Sequence, residues 1–155
     1  MSTWTSLPAS ITPIRLASVI ASSWSWVTIS VVMPMRNAAA WLPALMAALV
    51  REWATGFELV AVDDGSCDGS GALLRRLCSH WPRQRWQLLE GGGRGVSAAR
   101  NQGVAASRAP LIAFLDADDR PFPGRLRRPL QVLQANPHLS HVHGGWWRCD
   151  AQGRC

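Results

Sequence analysis

The sequence contains no lysine and no tyrosine, and the missing lysine excludes two classes of chemistry. Without lysine the chain has no Walker-A lysine and is not an ordinary P-loop nucleotidase. It also has no amine side chain that could form a Schiff base with a carbonyl substrate. All 16 basic residues are arginine, and the formal net charge is +6. This charge favours an anionic partner, such as a diphosphate ligand or an anionic membrane surface.

Long apolar runs are also missing. The apolar stretch Leu16 to Ala21 follows Arg15 and is too short to span a membrane. It lacks the basic start and the h-region of a signal peptide. We therefore expect residues 1–26 to be a disordered leader and residues 27–155 to form one domain. Trp24 and Trp26 in the leader are candidates for a weak peripheral membrane contact.

Cysteine occurs four times, with neither a C-x-x-C spacing nor a disulfide framework. We therefore expect free thiols in a reducing compartment. His138, His141, His143, Cys149 and Cys155 form a loose group of soft-metal ligands, but their spacing matches no zinc pattern. An ordinary strand at 139–146 is the preferred interpretation of this segment.

Nucleic-acid binding is not predicted from the distribution of the arginines. They are spread along the chain apart from a small cluster at Arg125, Arg127 and Arg128. No stripe of interleaved aromatic and basic side chains accompanies them. The acidic residues, by contrast, are concentrated, because six of the ten lie in two short clusters at 63–68 and 116–119. That concentration indicates a binding site.

Strand and helix patterns alternate along the chain. Apolar runs at 27–34, 57–62, 86–89 and 111–115 predict strands, with Pro34 ending the first. Helical spacing predicts helices at 40–54, 69–80 and 96–108, and a further helix that Pro121 and Pro123 open and that reaches Ala135. Each gap between strands holds one helix, which parallel strands with right-handed crossovers require. The sequence therefore predicts an α/β fold with a doubly wound, mostly parallel sheet.

The fourth predicted strand runs directly into three carboxylates. Its five apolar residues are typical of a strand buried on both faces, and Asp116, Asp118 and Asp119 follow at its carboxyl end. Ligands of open α/β sheets bind at that end. Three neighbouring carboxylates repel one another unless a cation neutralises them, so the spacing favours Mg²⁺ or Mn²⁺. The alternative is an acidic turn in which Asp118 or Asp119 caps the next helix.

A second acidic turn follows the second strand. Asp63 and Asp64 are placed to accept hydrogen bonds from a ribose or a base N–H. The turn also allows Ser66 or Asp68 to cap the helix that follows, and the two interpretations are compatible. Asn37 is likewise a candidate cap for the helix after the first strand.

The glycine-rich segment 91–95 does not fit the dinucleotide-binding fingerprint. That pattern requires glycine at position 96, which is Val96, and it follows the first strand rather than the third. The segment still offers backbone amides and Arg94 near the strand ends, where they would suit a phosphate. The alternative interpretation, that the segment is a plain turn without a ligand, fits the sequence equally well.

Four segments together resemble the N-terminal, nucleotide-sugar-binding part of family 2 glycosyltransferases, enzymes with the GT-A fold. They are Val31–Asn37, Val62–Ser70, Gly95–Gly103 and the D-x-D segment Leu115–Asp119. Arg36 stands where many members have tyrosine, and Cys67 stands in place of a threonine. The resemblance covers about Val27 to Arg154 and implies a Rossmann-like GT-A half that is incomplete at its C-terminus.

The resemblance also implies roles for individual residues. The nucleotide-sugar pocket would comprise Pro34, Asn37, Asp63, Asp64, Arg94, Arg100, Asn101 and Asp116. Among these, Asp63 and Asp64 would bind a uracil-like base and ribose, Asp116 the ribose or sugar, and Arg94 and Arg100 would lie near the base and the diphosphate. Asp118 and Asp119 would be the catalytic carboxylates, with Asp118 binding Mg²⁺ or Mn²⁺.

The implied activity is inverting transfer of a sugar from a nucleoside diphosphate, expected to be UDP, to a sugar, lipid-linked or protein acceptor. Such enzymes serve polysaccharide or glycoconjugate biosynthesis for the cell envelope, in the cytoplasm or at the inner face of the cell membrane. The family's general base lies in the acceptor half, beyond the D-x-D segment. The alternative is therefore a truncated, non-catalytic nucleotide-sugar-binding module. A GT-A nucleotidyltransferase is disfavoured, because its first loop is glycine-rich and basic.

Overall fold

The computed structural model describes residues 28–150 of the chain. The predicted leader, residues 1–26, lies outside the described residues. The strands are β1 (Ile29–Met35), β2 (Phe57–Asp63), β3 (Trp86–Glu90) and β4 (Leu111–Phe114). The helices are α1 (Leu42–Arg51), α2 (Ser70–Leu77), α3 (Val96–Ala106) and α4 (Arg127–Ala135), with short 3-10 turns at Trp53–Thr55 and Arg83–Arg85. No helix within this part of the chain is long and apolar enough to cross a membrane.

The four strands form one parallel sheet in the order β3-β2-β1-β4. Val31 and Met33 of β1 lie on the face covered by α1 and α2, and they join a buried cluster with Leu42 and Leu74. On the opposite face, α3 packs against β1 and β2. Helices therefore cover both faces, and the predicted doubly wound parallel sheet is confirmed.

Gly103 allows α3 to lie close to the sheet. A Cβ atom added at this position would lie 2.5 Å from Cγ1 of Val32 and 3.4 Å from Cγ2 of Val62. No side-chain atom fits at the shorter distance, so a glycine is required for this approach. The contact brings the first turn of α3 close to the carboxyl ends of β1 and β2.

Pro34 lies inside β1, so the prediction that it ends the strand is wrong. The carbonyl of Met35 accepts a hydrogen bond from Asp64 N, and the carbonyl of Val32 accepts one from Leu115 N. Backbone groups of alternate residues point to opposite neighbours, so Pro34 faces the β4 side. Pairing with β4 ends at Val32, and the missing N–H of proline therefore removes no ladder hydrogen bond.

Two further predictions about the C-terminal part of the chain are wrong. Residues 139–146 form no strand, and they pair with no other part of the described sheet. The helix predicted to open at Pro121 and Pro123 begins at Arg127 instead, because a turn first places Gly124 in the left-handed region at φ 82°.

The apolar sequence of β4 predicted a strand that is buried on both faces, and this prediction is wrong. Ile112 is 37% exposed and Phe114 is 47% exposed. The reason is the strand order, which places β4 at one edge of the sheet in residues 28–150, while α3 covers β1 and β2.

The prediction of free thiols holds for two of the described cysteines. Cys67 and Cys78 are free, and burial raises the pKa of the Cys78 thiol to about 12. Cys149 is disulfide-bonded, so the prediction is wrong for that residue.

An ion pair between buried Glu58 and exposed Arg108 joins the amino ends of β1 and β2 to the end of α3. The Glu58 carboxylate is fully buried. It accepts hydrogen bonds from Ser30 Oγ at 2.6 Å, Arg108 N at 2.8 Å and Arg108 Nε at 2.7 Å. Burial alone would raise the pKa of Glu58, but the hydrogen bonds from Ser30 and Arg108 outweigh it and hold the pKa below its usual value.

The amino end of α4 is capped from a distance. Leu126 at the N-cap position offers no side-chain acceptor. Instead, the buried carboxylate of Glu52, which follows α1, accepts hydrogen bonds from Gly124 N and Arg127 N. The alternative prediction from the sequence, that Asp118 or Asp119 caps this helix, is wrong, because these residues lie eight and seven positions before the N-cap residue Leu126.

Candidate functional site

A cleft of about 620 Å³ opens at the carboxyl ends of the strands. Its walls come from the β1–α1 loop, the end of β2, the start of α3 and the segment after β4. The lining residues are Pro34, Met35, Arg36, Asn37, Ala38, Trp41, Asp64, Gly95, Val96, Asp116, Ala117 and Asp118. A topological position of this kind is where open α/β sheets bind their ligands.

The β1–α1 loop is fastened to the β2–α2 loop by hydrogen bonds in both directions. Asn37 adopts φ 52°, and its Oδ1 accepts a hydrogen bond from Cys67 N at 2.9 Å. In return, the backbone amides of Asn37 and Ala38 donate to the hydroxyls of Ser66 and Ser70 at 2.9 and 2.7 Å. Asn37 therefore joins two loops at the edge of the cleft. The prediction that it caps α1 is wrong, because the N-cap position is Trp41.

Asp68 supports the start of α2. Its carboxylate accepts hydrogen bonds from Ser70 N at 3.0 Å and from Ala39 N at 3.0 Å. The hydrogen bond from the Ser70 hydroxyl, followed by that from Ala39 N, lowers the pKa of Asp68. The N-cap position of α2 is Gly69, which has no side-chain cap, so the prediction that Ser66 or Asp68 caps this helix is wrong. Asp68 instead holds the first helical amide from one residue before the N-cap, and Ser66 binds the β1 loop.

The adjacent carboxylates Asp63 and Asp64 are both buried but have different surroundings. Asp63 Oδ1 accepts a hydrogen bond from Ser66 N at 2.8 Å, and this residue does not line the cleft. Asp64 lines the cleft, and its two oxygens accept hydrogen bonds from Arg94 N at 2.8 Å and Gly95 N at 2.7 Å. Asp64 therefore organises the glycine-rich segment as one wall of the cleft.

Arg94 itself is directed along the loop. Its Nε donates to the carbonyl of Gly91 at 3.0 Å, and its Nη2 donates to Gln102 Oε1 at 3.2 Å. Neither Arg94 nor Asn101 is among the residues that line the cleft. In this arrangement the segment contributes to the cleft through backbone atoms, at Gly95, rather than through its arginine.

The D-x-D segment presents its carboxylates differently. Asp116 lines the cleft and forms an ion pair with Arg100. Asp118 also lines the cleft and is exposed. Within residues 28–150, its carboxylate makes no side-chain hydrogen bond or ion pair. The pKa of Asp119 is raised, first by desolvation and then by the negative charges of Asp116 and Asp118.

The carboxylates fit a cation that binds together with a diphosphate. No group of three or more metal-binding side chains occurs in the described part of the chain, which speaks against a site built from protein ligands alone. Mg²⁺ typically takes one or two carboxylates and completes its shell with water and substrate phosphates. Asp118 supplies one exposed, hard oxygen donor of this kind inside the cleft.

Two apolar side chains in the cleft were not identified from the sequence. Trp41 is 45% exposed and Val96 is 50% exposed. Trp41 lies directly before α1, and Val96 is the first residue of α3 on the opposite face of the sheet. Trp41 precedes a helix with apolar periodicity, so it is easily mistaken for part of the helix surface. Aromatic faces of this kind can stack on flat or apolar parts of a ligand.

Comparison with known proteins links the chain to one family. The sequence model for "Glycosyl transferase family 2" matches residues 30–150. Over 125 residues the chain is 30% identical to an uncharacterized glycosyltransferase of Haemophilus influenzae, a match that covers 81% of this chain and 49% of that protein. Over 98 residues it is 38% identical to the succinoglycan biosynthesis protein ExoU of Rhizobium meliloti, covering 63% of this chain and 28% of ExoU. The chain thus spans about half or less of the length of these curated relatives.

Solved glycosyltransferase structures share the fold. S. aureus TarS 1-349, in complex with UDP-GlcNAc, superposes with a TM-score of 0.60 at 21% identity, over 72% of this chain and 32% of TarS. The mannosyltransferase PcManGT from Pyrobaculum calidifontis, in complex with GDP-Man and Mn²⁺, gives 0.62 at 22% identity, over 78% and 38%. The predicted GT-A type of α/β fold is therefore confirmed.

Proposed function

Because the chain belongs to glycosyl transferase family 2, we propose that its cleft binds a nucleoside-diphosphate sugar and serves inverting, metal-assisted transfer of the sugar to an acceptor hydroxyl. One observation carries the proposal. Asp64, Asp116 and Asp118, which follow two different strands, line the same cleft at the carboxyl ends of the sheet. A nucleoside diphosphate offers the partners these groups need, namely base and ribose donors at one end and a cation-bound diphosphate at the other.

The nucleoside end of the donor would lie against the β1 and β2 loops. Asp64 already orders its surroundings through Arg94 N and Gly95 N, and each carboxylate oxygen can accept a further hydrogen bond from a base N–H or a ribose hydroxyl. Pro34 and Asn37 would border the base. Because Asp63 does not line the cleft, we assign it to holding the β2 turn beneath the nucleoside.

The diphosphate end would lie beside the D-x-D segment. Asp118 would hold Mg²⁺ or Mn²⁺, with Asp119 as the neighbouring catalytic carboxylate. A bound divalent cation would neutralise the charge that develops on the departing nucleoside diphosphate. Asp116 would accept hydrogen bonds from the ribose or the sugar and so orient the anomeric carbon toward the acceptor.

We propose UDP as the nucleotide. The TarS structure holds UDP-GlcNAc and the PcManGT structure holds GDP-Man. The affinities of this chain for UDP and for GDP should therefore be compared directly. Calorimetric titration of the chain with UDP and with GDP, each with Mn²⁺, should give the tighter affinity for UDP. Tighter binding of GDP would contradict the assignment of the base.

The metal assignment is tested by Asp118→Ala. We expect Mn²⁺-dependent binding of UDP, measured by calorimetry, to be lost while the circular dichroism spectrum is unchanged. Glu90→Ala is the matched control, because Glu90 is an exposed carboxylate at the end of β3 that does not line the cleft. Undiminished Mn²⁺-dependent binding in Asp118→Ala would exclude Asp118 as the metal ligand.

A second candidate is binding of a nucleotide-sugar without transfer. It is favoured by the cleft itself, because Asp64, Asp116 and Asp118 are all assigned to the donor. None of them is left over to act as the general base that an attacking hydroxyl requires. Release of UDP from a UDP-sugar in the presence of acceptors separates the two functions, since only the transferase should release it above the rate without protein.

One relative bears on the acceptor. Because ExoU is a succinoglycan biosynthesis protein, we propose a growing polysaccharide or glycoconjugate as the acceptor. Contact with this acceptor at the inner face of the cell membrane is a separate proposal, motivated by the net charge of +6. A screen of oligosaccharide, lipid-linked and peptide acceptors would test this assignment through the product that forms.

A further inference from the structure

The ion pair between Arg100 and Asp116 links α3 to the segment after β4. A single nitrogen, Nη2 of Arg100, lies 2.6 Å from Oδ1 and 2.8 Å from Oδ2 of Asp116. Both side chains are partly exposed, at 36% and 43%. A charge-assisted contact to both oxygens favours one orientation of the carboxylate.

The orientation of the guanidinium separates Arg100 from the cleft. Asp116 lines the cleft whereas Arg100 does not. The arginine therefore contacts the carboxylate from outside the set of residues that line the cleft. Arg100 Nε is buried, and within the described part of the chain it has no hydrogen-bond partner. The resemblance to the family implied a position near the diphosphate, but the observed contacts of Arg100 are with Asp116.

This pairing distinguishes the first carboxylate of the D-x-D segment from the second. Both oxygens of Asp116 already contact a cation, which weakens their attraction for another. Asp118 lines the same cleft without such a partner in residues 28–150. The two carboxylates are therefore equivalent in sequence but not in the charge that each presents to the cleft.

We propose that Arg100 is a positioning residue that withholds Asp116 from the metal, directs it to hydroxyl groups of the donor and leaves Asp118 as the protein's metal ligand. The inference rests on the proposed function and assigns the division of labour within that site. It also explains why cation and diphosphate should bind together, because one carboxylate alone holds a divalent ion weakly and the phosphate oxygens complete the shell.

The test measures Mn²⁺ binding in the absence of nucleotide. In Arg100→Met the Asp116 carboxylate is released beside Asp118, and a second carboxylate should tighten binding of Mn²⁺ alone by on the order of tenfold. The same variant should bind UDP-sugar more weakly, because Asp116 is no longer oriented. Calorimetry and the electron paramagnetic resonance signal of free Mn²⁺ give the two affinities without requiring turnover.

A double variant identifies the cause. If the gain in Mn²⁺ affinity comes from Asp116, then Arg100→Met combined with Asp116→Asn should return the affinity for Mn²⁺ alone to the wild-type value. Arg100→Lys should also stay near wild type for Mn²⁺ alone, since it keeps a cation beside Asp116. Arg94→Met is the control for removal of a nearby positive charge, because the Arg94 side chain contacts Gly91 and Gln102, and the substitution leaves the backbone hydrogen bond from Arg94 N to Asp64 in place.

Several results would overturn the inference. They are unchanged Mn²⁺ affinity in a folded Arg100→Met, an equal gain in Arg94→Met, or a gain that persists in the double variant. If Arg100→Met does not fold, Asp116→Asn alone decides, since the inference requires it to keep Mn²⁺ binding in the presence of UDP whereas Asp118→Asn loses it. Failure of the wild-type chain to bind UDP with Mn²⁺ would instead overturn the proposed function.

Discussion

Single carboxylates in this molecule differ mainly in what already occupies their oxygens. Asp64 accepts two backbone hydrogen bonds, Asp116 accepts both of its contacts from one arginine nitrogen, and Asp118 lacks such partners in residues 28–150. Carboxylates that are occupied by fixed donors hold the shape of the site, whereas an unoccupied one is available to a cation. The order of acids in the sequence does not reveal this difference.

Asp64→Asn should loosen the glycine-rich segment. The amide side chain keeps the size of aspartate but has only one acceptor oxygen, so either Arg94 N or Gly95 N loses its buried partner. We expect the free energy of opening this segment to fall by about 1–3 kcal/mol and the affinity for UDP to fall with it. Hydrogen exchange at these two amides gives the opening free energy, and Glu90→Gln is the control. Equal protection in Asp64→Asn and wild type would contradict this role.

The elements are joined by contacts between residues that are far apart in sequence. Glu58 of β2 bonds to Ser30 of β1 and to Arg108 after α3, which are 28 and 50 residues away. These contacts join the amino ends of the central strands, at the end of the sheet that lies away from the cleft. The loops that line the cleft lie at the other end of the same strands.

The ion pair of Glu58 should make stability depend on pH. The pKa of Glu58 is lowered in the folded state, so its contribution is fully present above the pKa of the unfolded chain. It is lost as the pH falls through the lower, folded pKa. Urea unfolding from about pH 7 to about pH 3 should show this loss, and Glu58→Gln should remove about 1–3 kcal/mol at neutral pH and flatten the pH profile. A profile as steep as that of the wild type would assign the pH dependence to other groups.

The topology of the elements could be predicted from the sequence, whereas several contacts that shape the site could not. Apolar runs that alternate with helical spacing are local patterns, and they specified four parallel strands with helices on both faces. The pairing of Arg100 with Asp116 and the bonding of Asn37 to Cys67 depend on which side chains the fold brings together. Residues 139–146 have a strand-like sequence, but no described strand pairs with them, and a strand requires a partner.

At the scale of the whole molecule, the edge strand β4 carries exposed apolar side chains in the part of the chain that the structure describes. Ile112 and Phe114 of β4 are exposed, and short apolar edge strands can pair with other chains. Ile112→Lys should therefore reduce concentration-dependent association, measured by light scattering, with little effect on folding. Val50→Lys is a matched control, because Val50 is an exposed residue of α1. Equal reduction in both variants would indicate that general surface hydrophobicity, rather than the edge, drives association.

The cap that Glu52 provides for α4 also bears on the order in which the chain folds. The helix begins with no side-chain acceptor of its own. The amide of Arg127 at its start and the amide of Gly124 in the preceding turn donate to a carboxylate 75 and 72 residues earlier. Closing so long a loop carries an entropy cost that a local cap avoids. The amino end of α4 gains this cap only when Glu52 is in place beside it, so we expect the segment after the D-x-D motif to become ordered after β1, α1 and β2 have packed.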